Sequence, residues 1–298
     1  MTLRAGSRLE ICRDVAGELA KNVAMGIPAV RRWRLRKPRA GAVFTGRQDE
    51  LERYAFQSVR LLQAHVGSLA GLHVAEVGAG DYLTSGFSLL AAGAATYTVI
   101  DRFPGDYFGE QGRNWYRGIR SGWETAFPDI PWPADLDAGR FPDGYGSRLD
   151  LVALPIEQVT AERKFDVVCS FQVGEHVSSL PAFAAMTARL LAPGGIAVHR
   201  VDFGAHDCWT QYRDPLTFLR IPDWLWRATG SNRGTPNRLR YPAFVEAFAA
   251  AGLAVATHDI EHARIENVDV GRLPSRLRRI PIEELAVCSA TFVLRATG

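Results

Sequence analysis

The sequence predicts a doubly wound α/β domain around a mostly parallel seven-stranded sheet, and three observations carry that expectation. Short β-branched apolar runs alternate with segments of helical periodicity from about residue 47 to residue 294. The first run ends in a glycine turn, Gly78-Ala79-Gly80, and the second ends in an acid, Asp101. At 298 residues and 47% apolar content, the chain can cover both faces of such a sheet.

Arg8 to Met25 has the pattern of an amphipathic helix, and a basic run bounded by Pro28 and Pro38 follows it. These belong to an appended segment, residues 1–45. The basic run reads as a solvated arm, with a phosphate-bearing substrate or an anionic lipid surface as its other candidate contacts. From Arg47 to Leu69, Leu51, Tyr54, Ala55, Val59 and Leu62 recur at helical spacing and predict a helix beside the first strand, Leu72 to Val77. A helix over Ser85 to Ala92 and strands over Ala95 to Ile100, Leu149 to Ala153 and Phe165 to Phe171 come next. The helix Leu180 to Leu191 stops at Pro193-Gly194-Gly195, before strand Ile196 to Val201. Strands Leu253 to Ile260 and Ala286 to Leu294 complete the set. Within this domain, residues 46–298, the segments 102–146 and 203–242 are too long and too aromatic for plain connections and read as lid insertions. In the first of them the aromatics either stack on a ligand or form a satellite core or dimer contact.

The formal charge is only +3, and Arg31, Arg32, Arg34, Arg36, Lys37 and Arg39 exceed it by themselves. A general nucleic-acid footprint is therefore disfavoured. Cys12, Cys169, Cys208 and Cys288 form no closely spaced pair, which fits structural thiols in a reducing compartment and argues against a zinc site. No long apolar stretch follows the early charges, so neither a signal peptide nor a transmembrane segment is expected, and the location expected is cytoplasmic.

Gly78 and Gly80 stand where a strand turns into a helix, a place where glycine permits positive φ and close approach of a ligand. Asp101, twenty-one residues after Gly80, is placed to accept hydrogen bonds from both hydroxyls of a ribose. A nicotinamide dinucleotide fits less well: Leu83 stands where a third glycine belongs, and Glu76 would face a pyrophosphate. A cationic sulfonium with an amino-acid tail would instead be favoured by that carboxylate.

Five pieces in order give a family resemblance over roughly Leu72 to Leu294. They are Glu76-Val-Gly-Ala-Gly80, Asp101, Leu154-Pro-Ile-Glu157, Phe165 through His176, and Leu191-Ala-Pro-Gly-Gly195. Together the sequence resembles the class I S-adenosylmethionine-dependent methyltransferases, whose fold is Rossmann-like. The resemblance implies S-adenosyl-L-methionine as cofactor. It implies contacts from Glu76, Gly78, Ala79 and Gly80 in the glycine loop, Asp101 and Arg102 at the ribose, Ile156 and Glu157 on the adenine side, and Phe171 and Gln172 after the fourth strand. Tyr82 departs from the family's third glycine and puts the local backbone path in question.

Methyl transfer to a hydroxyl needs alignment and a general base, for which histidine is the usual supplier. Glu175-His176 follows the fourth strand, and His199-Arg-Val-Asp-Phe-Gly-Ala-His206 spans the end of the fifth. Side chains at i and i+3 of a strand point to opposite faces, which separates His199 from Asp202 and leaves His206 to a loop over the pocket. This HxxDxxxH stretch, with Asn237-Arg-Leu-Arg240, resembles a subgroup that modifies sugars, polysaccharides or natural products. That resemblance implies His206 as base, Asp202 and His176 as orienting or alternative bases, and Trp209 and Arg238 as substrate contacts. The bland alternatives are a backbone-bonded loop at Glu175-His176, a satisfied strand histidine at His199, and a brace at Asn237 and Arg238 for the helix near Pro242. No metal is expected.

The function expected is O-methylation of a small acceptor, sugar-containing, glycosylated or phosphate-bearing, and a homodimer is compatible with it. The alternatives are N- or C-methylation of a small metabolite, a non-catalytic cofactor-binding module, and RNA methylation. The last is disfavoured because Ser170-Phe-Gln-Val-Gly174 lacks the Asn/Asp-Pro-Pro-aromatic pattern of exocyclic amine methylation.

Overall fold

A computed structural model of the chain describes residues 3–35, 43–160, 162–232 and 235–297. Its centre is one seven-stranded sheet made of β1 (His73–Val77), β2 (Thr96–Ile100), β3 (Leu149–Val152), β4 (Phe165–Phe171), β5 (Leu191–Asp202), β6 (Leu253–His262) and β7 (Val287–Ala296). The strand order is β3-β2-β1-β4-β5-β7-β6. The first five strands pair in parallel, and β7 runs antiparallel to both β5 and β6. The order reverses between β1 and β4, so the carboxyl ends of β1, β2, β4 and β5 surround one crevice.

Both sheet faces are covered, which explains why the strands read as nearly continuous apolar runs rather than as alternation. On one face α3 (Gln48–Leu51), α4 (Gln57–Val66), α5 (Thr84–Ala91) and α6 (Glu110–Ala126) pack over Val74, Val99, Val167 and Val198. On the other, α7 (Leu180–Leu190) and α9 (Tyr241–Ala250) cover Ala75, Val168, Ala197 and Val201. The helix expected from Arg47 to Leu69 is divided by a π turn at Glu52–Phe56.

The first insertion is mostly core. Tyr107, Trp115, Tyr116, Trp123 and Phe127 are buried against α5 and β2, while Phe103 and Phe108 stay exposed. A seventeen-residue helix, α6, organises it; periodicity alone did not predict that helix. The second insertion carries short 3-10 turns and α8 (Asp223–Gly230), and it forms a third apolar cluster of Trp209, Tyr212, Phe218 and Trp226.

The N-terminal extension closes that third cluster. α1 (Arg8–Gly26) contributes Val15, and the Asn22 amide donates to Ala228 O and Ser231 Oγ at 2.8 Å each. The basic run, expected as a solvated arm, is helical as α2 (Pro28–Leu35), with its arginines exposed. Arg36, Lys37 and Arg39 lie outside the described residues. No helix among the described residues is long and apolar enough to cross a membrane. All four cysteines are free thiols.

Candidate active site

The cofactor side is built by two adjacent turns. Gly78 and Gly80 have φ of +76° and +79°, the left-handed region that glycine adopts without strain. A Cβ on Gly78 would stand 2.6 Å from Val173 Cγ2, so glycine there also lets the loop after β4 close in. Nothing lies within 4 Å of the corresponding position on Gly80, which leaves that face of the loop open. Asp101, partly exposed at the end of β2, accepts from the backbone N–H of Gly80 at 3.3 Å and of Phe103 at 2.7 Å. One carboxylate thus ties the two turns together and keeps lone pairs for a further donor.

Glu76, expected on the amino-acid tail, lies at the end of β1 next to the glycine loop. It is 2% exposed beneath the glycine loop, and Tyr97 Oη donates to it at 2.6 Å. Burial pushes its carboxyl up to about 7, against the lowering effect of the Tyr97 bond. Tyr82, in place of the third glycine, is buried in the core instead of lining the cradle. Gly105 approaches the same loop so closely that a Cβ would meet Asp81 O at 2.1 Å, a contact that its sequence context did not signal.

The remaining cofactor candidates surround this crevice unevenly. Ile156 is buried, and Glu157 accepts from Ser178 Oγ at 2.9 Å. Arg102 is exposed and lies over the Phe103 ring at 5.1 Å. Ala79 and Phe171 are half-buried, and Gln172 is exposed with φ of +59°. An open glycine loop, a ribose-height carboxylate and an apolar wall at Ile156 and Val173 fit an adenosyl amino acid.

The second half of the crevice lies at the ends of β4 and β5. The structure brings His176, Asp202 and His206 together and adds Glu175, which sequence reasoning treated as loop closure. His206 Nε2 is 3.4 Å from Asp202 Oδ2, an ion-pair contact, and the His176 and His206 rings lie 5.5 Å apart edge-on. The Asp202 contact holds the His206 imidazole above its ordinary value, against the opposing effect of burial. Burial raises the Asp202 carboxyl, but bonds from His206 and the Gly204 N–H outweigh it and leave the group below its usual value. Glu175 is 3% exposed, and both its carboxylate oxygens are buried with no hydrogen-bond partner. Its carboxyl is pushed up to about 8, first by burial and further by the nearby Asp202. Glu175, Asp202 and His206 offer ligand atoms within 4.8 Å of one another, a spacing that a cation could bridge.

His199 stays apart from this group. It is fully buried between Ser170 Oγ at 2.8 Å and Thr187 Oγ1 at 3.2 Å, and burial drives it down to about 3, so it is a neutral core histidine. Arg238, expected as a substrate contact, is corrected by its surroundings. Its guanidinium donates to Phe218 O at 3.1 Å, to Ile221 O at 2.7 Å and to Asp223, and it stacks over Trp226. It braces the second insertion and is 5% exposed. Trp209 is also buried, on the wall of a cavity of about 230 Å³ beyond β5 that Phe203, Ala205, Arg240 and Cys288 share.

The Asn237-to-Arg240 stretch holds the cluster in place. Asn237 N–H donates to Glu175 O at 2.6 Å, and its amide donates to Gly174 O at 3.0 Å. Arg240, 3% exposed, donates to Phe203 O at 2.5 Å and to the carbonyls of Leu285 and Val287. One end of the stretch fixes the loop that carries Glu175 and His176, and the other fixes the exit of β5 that carries Asp202.

Among solved structures, the chain is similar to a putative methyltransferase in complex with the Haloferax volcanii Trm112 activator. The identity is 16%, with 85% of this chain and 95% of that chain covered at a TM-score of 0.44. It is also similar to a Burkholderia thailandensis 1,6-didemethyltoxoflavin N1-methyltransferase with bound S-adenosylhomocysteine, at 15% identity, 81% and 77% coverage and a TM-score of 0.45. No curated protein matches the sequence. A family model described as a methyltransferase domain matches residues 76–258, from the glycine loop through β6. That match spans more than half of the chain, which therefore belongs to the methyltransferase domain family.

Proposed function

We propose that the chain O-methylates a hydroxyl on a sugar-containing or small polar metabolite. The observation that supports this reading is the group Glu175, His176, Asp202 and His206 at the ends of β4 and β5, with a carboxylate paired to an imidazole. Bound S-adenosylmethionine supplies an electrophilic methyl group. The protein's part is to hold the acceptor oxygen in line and to take its proton. With Nε2 turned toward Asp202, Nδ1 of His206 is the nitrogen left to receive that proton, and Asp202 stabilises the imidazolium formed. Asp101 accepts from the ribose hydroxyls, and the open face at Gly80 admits the rest of the nucleoside. Offering the protein S-adenosylmethionine and a panel of hydroxylated and aminated sugars tests the reading. A methyl ether is the expected product, and a methylated amine or carbon overturns O-methylation.

One observation favours a second reading: the buried Glu175 carboxylate has no partner. A divalent cation bound by Glu175, Asp202 and His206 would compensate it and acidify the acceptor hydroxyl, with His206 as ligand and not base. Manganese titration followed by electron paramagnetic resonance separates the two readings: saturable one-site binding, lost in Glu175→Gln, supports the cation. Full activity after chelation supports the base.

A further inference from the structure

α1 presents two apolar sides, and only one is used. Ile11, Val15 and Leu19 face the third cluster, and Asn22 locks the helix to the second insertion. A capping box closes the start of the helix, with Glu10 N donating to Ser7 Oγ and Ser7 N donating to Glu10 Oε2 at 2.8 Å. The helix is therefore a fixed rail and not a loose arm.

Along its flank Leu9, Cys12, Ala16, Ala20, Val23 and Ile27 are all exposed. Their spacing of three or four residues places those from Leu9 to Val23 within about a quarter of the helix circumference, and Ile27 follows at the C-cap. Leu9 is 81% exposed, Val23 67% and Ile27 51%, so the stripe is uncovered along its length. The next helix, α2, carries Trp33, 57% exposed, among the exposed Arg31, Arg32 and Arg34. Arg8 and Arg13 are exposed at the other end. The acids of α1 are engaged elsewhere: Asp14 accepts from Tyr212 Oη at 2.8 Å, Glu18 is buried, and Glu10 caps Ser7.

An apolar line bordered by arginines, with an exposed tryptophan at one end, has the make-up of a helix lying in a lipid interface. A second copy of the chain is a poorer occupant, because two-fold pairing would set this cationic border against its own image. We propose that α1 and α2 dock on an anionic phospholipid surface. The apolar stripe enters the headgroup boundary and Arg31 and Arg32 meet lipid phosphates, independently of which acceptor is methylated.

Co-sedimentation of the full chain with phosphatidylcholine vesicles, with and without phosphatidylglycerol, tests this. Binding is expected only to the anionic vesicles and should fall steeply with salt. Val23→Ser/Ile27→Ser and Arg31→Glu/Arg32→Glu should each weaken binding by about tenfold or more. Both double variants should keep wild-type S-adenosylhomocysteine affinity, which confirms that they fold. Absence of wild-type binding, or equal binding by wild type and the folded variants, overturns the proposal. A dimer in light scattering that Val23→Ser/Ile27→Ser dissociates assigns the stripe to a second copy and overturns it too.

Discussion

The two halves of the crevice differ in how completely their polar groups are satisfied. At the ends of β1 and β2, Asp101 holds two backbone N–H groups and Glu76 holds a tyrosine hydroxyl, so the turns are set before any ligand arrives. At the ends of β4 and β5, both Glu175 oxygens are buried without a hydrogen-bond partner. A buried polar group without a partner is costly, and its cost is removed when a ligand supplies the partner. On the proposed function, the first half is the one organised to bind and the second the one that reacts.

His206→Ala should break the contrast most severely. Turnover is expected to drop by about 10²–10⁴, the usual contribution of a general base, with S-adenosylhomocysteine affinity unchanged in calorimetry. Wild-type turnover in that variant removes His206 from the chemistry. On the other half, Asp101→Ala should weaken S-adenosylhomocysteine by about 1–3 kcal/mol, and unchanged affinity removes Asp101 from the site. The pH profile sharpens the comparison further. Because the Asp202 contact raises His206, kcat/KM should climb with pH through a value above that of an unperturbed histidine and then level off. A flat profile between pH 6 and 8 contradicts a histidine base.

Glu175→Gln tests the unsatisfied carboxylate through stability. The folded-state value of this acid, about 8, lies above its unfolded one, so the folded protein binds the extra proton between them and loses stability as pH rises through that window. The amide variant should be more stable than wild type at pH 8, by on the order of a few kcal/mol, and nearly equal to it at pH 4. Equal melting temperatures at pH 8 show that the carboxylate is compensated.

What the sequence revealed divides along the same line. The glycine loop and Asp101 are two short motifs on neighbouring parallel strands, and strand pairing alone carries them together at Val77 and Ile100. The second half draws on three segments whose meeting no local pattern announces. Strand alternation separates His199 from Asp202 correctly, because His199 faces the core under α7, but it gives no hint that Glu175 takes the vacant place beside Asp202. Arg238 illustrates the limit: a charged residue in a motif reads as a contact, whereas its burial against Trp226 and two carbonyls makes it a brace. The aromatics of the first insertion were legible as a cluster, but their partners across α5 and β2 were not. α2 was hidden because a proline and a dense run of arginines suppress the helical signal, although proline is well tolerated in a first helical turn.

The claim that binding and proton removal reside in separate halves is tested most directly by titrating S-adenosylhomocysteine into wild type, Asp101→Asn and Asp202→Asn under identical conditions. A loss of roughly tenfold or more in the Asp101 variant, with the Asp202 variant about equal to wild type, is the expected result. Comparable losses in both, or a loss confined to Asp202→Asn, contradict it.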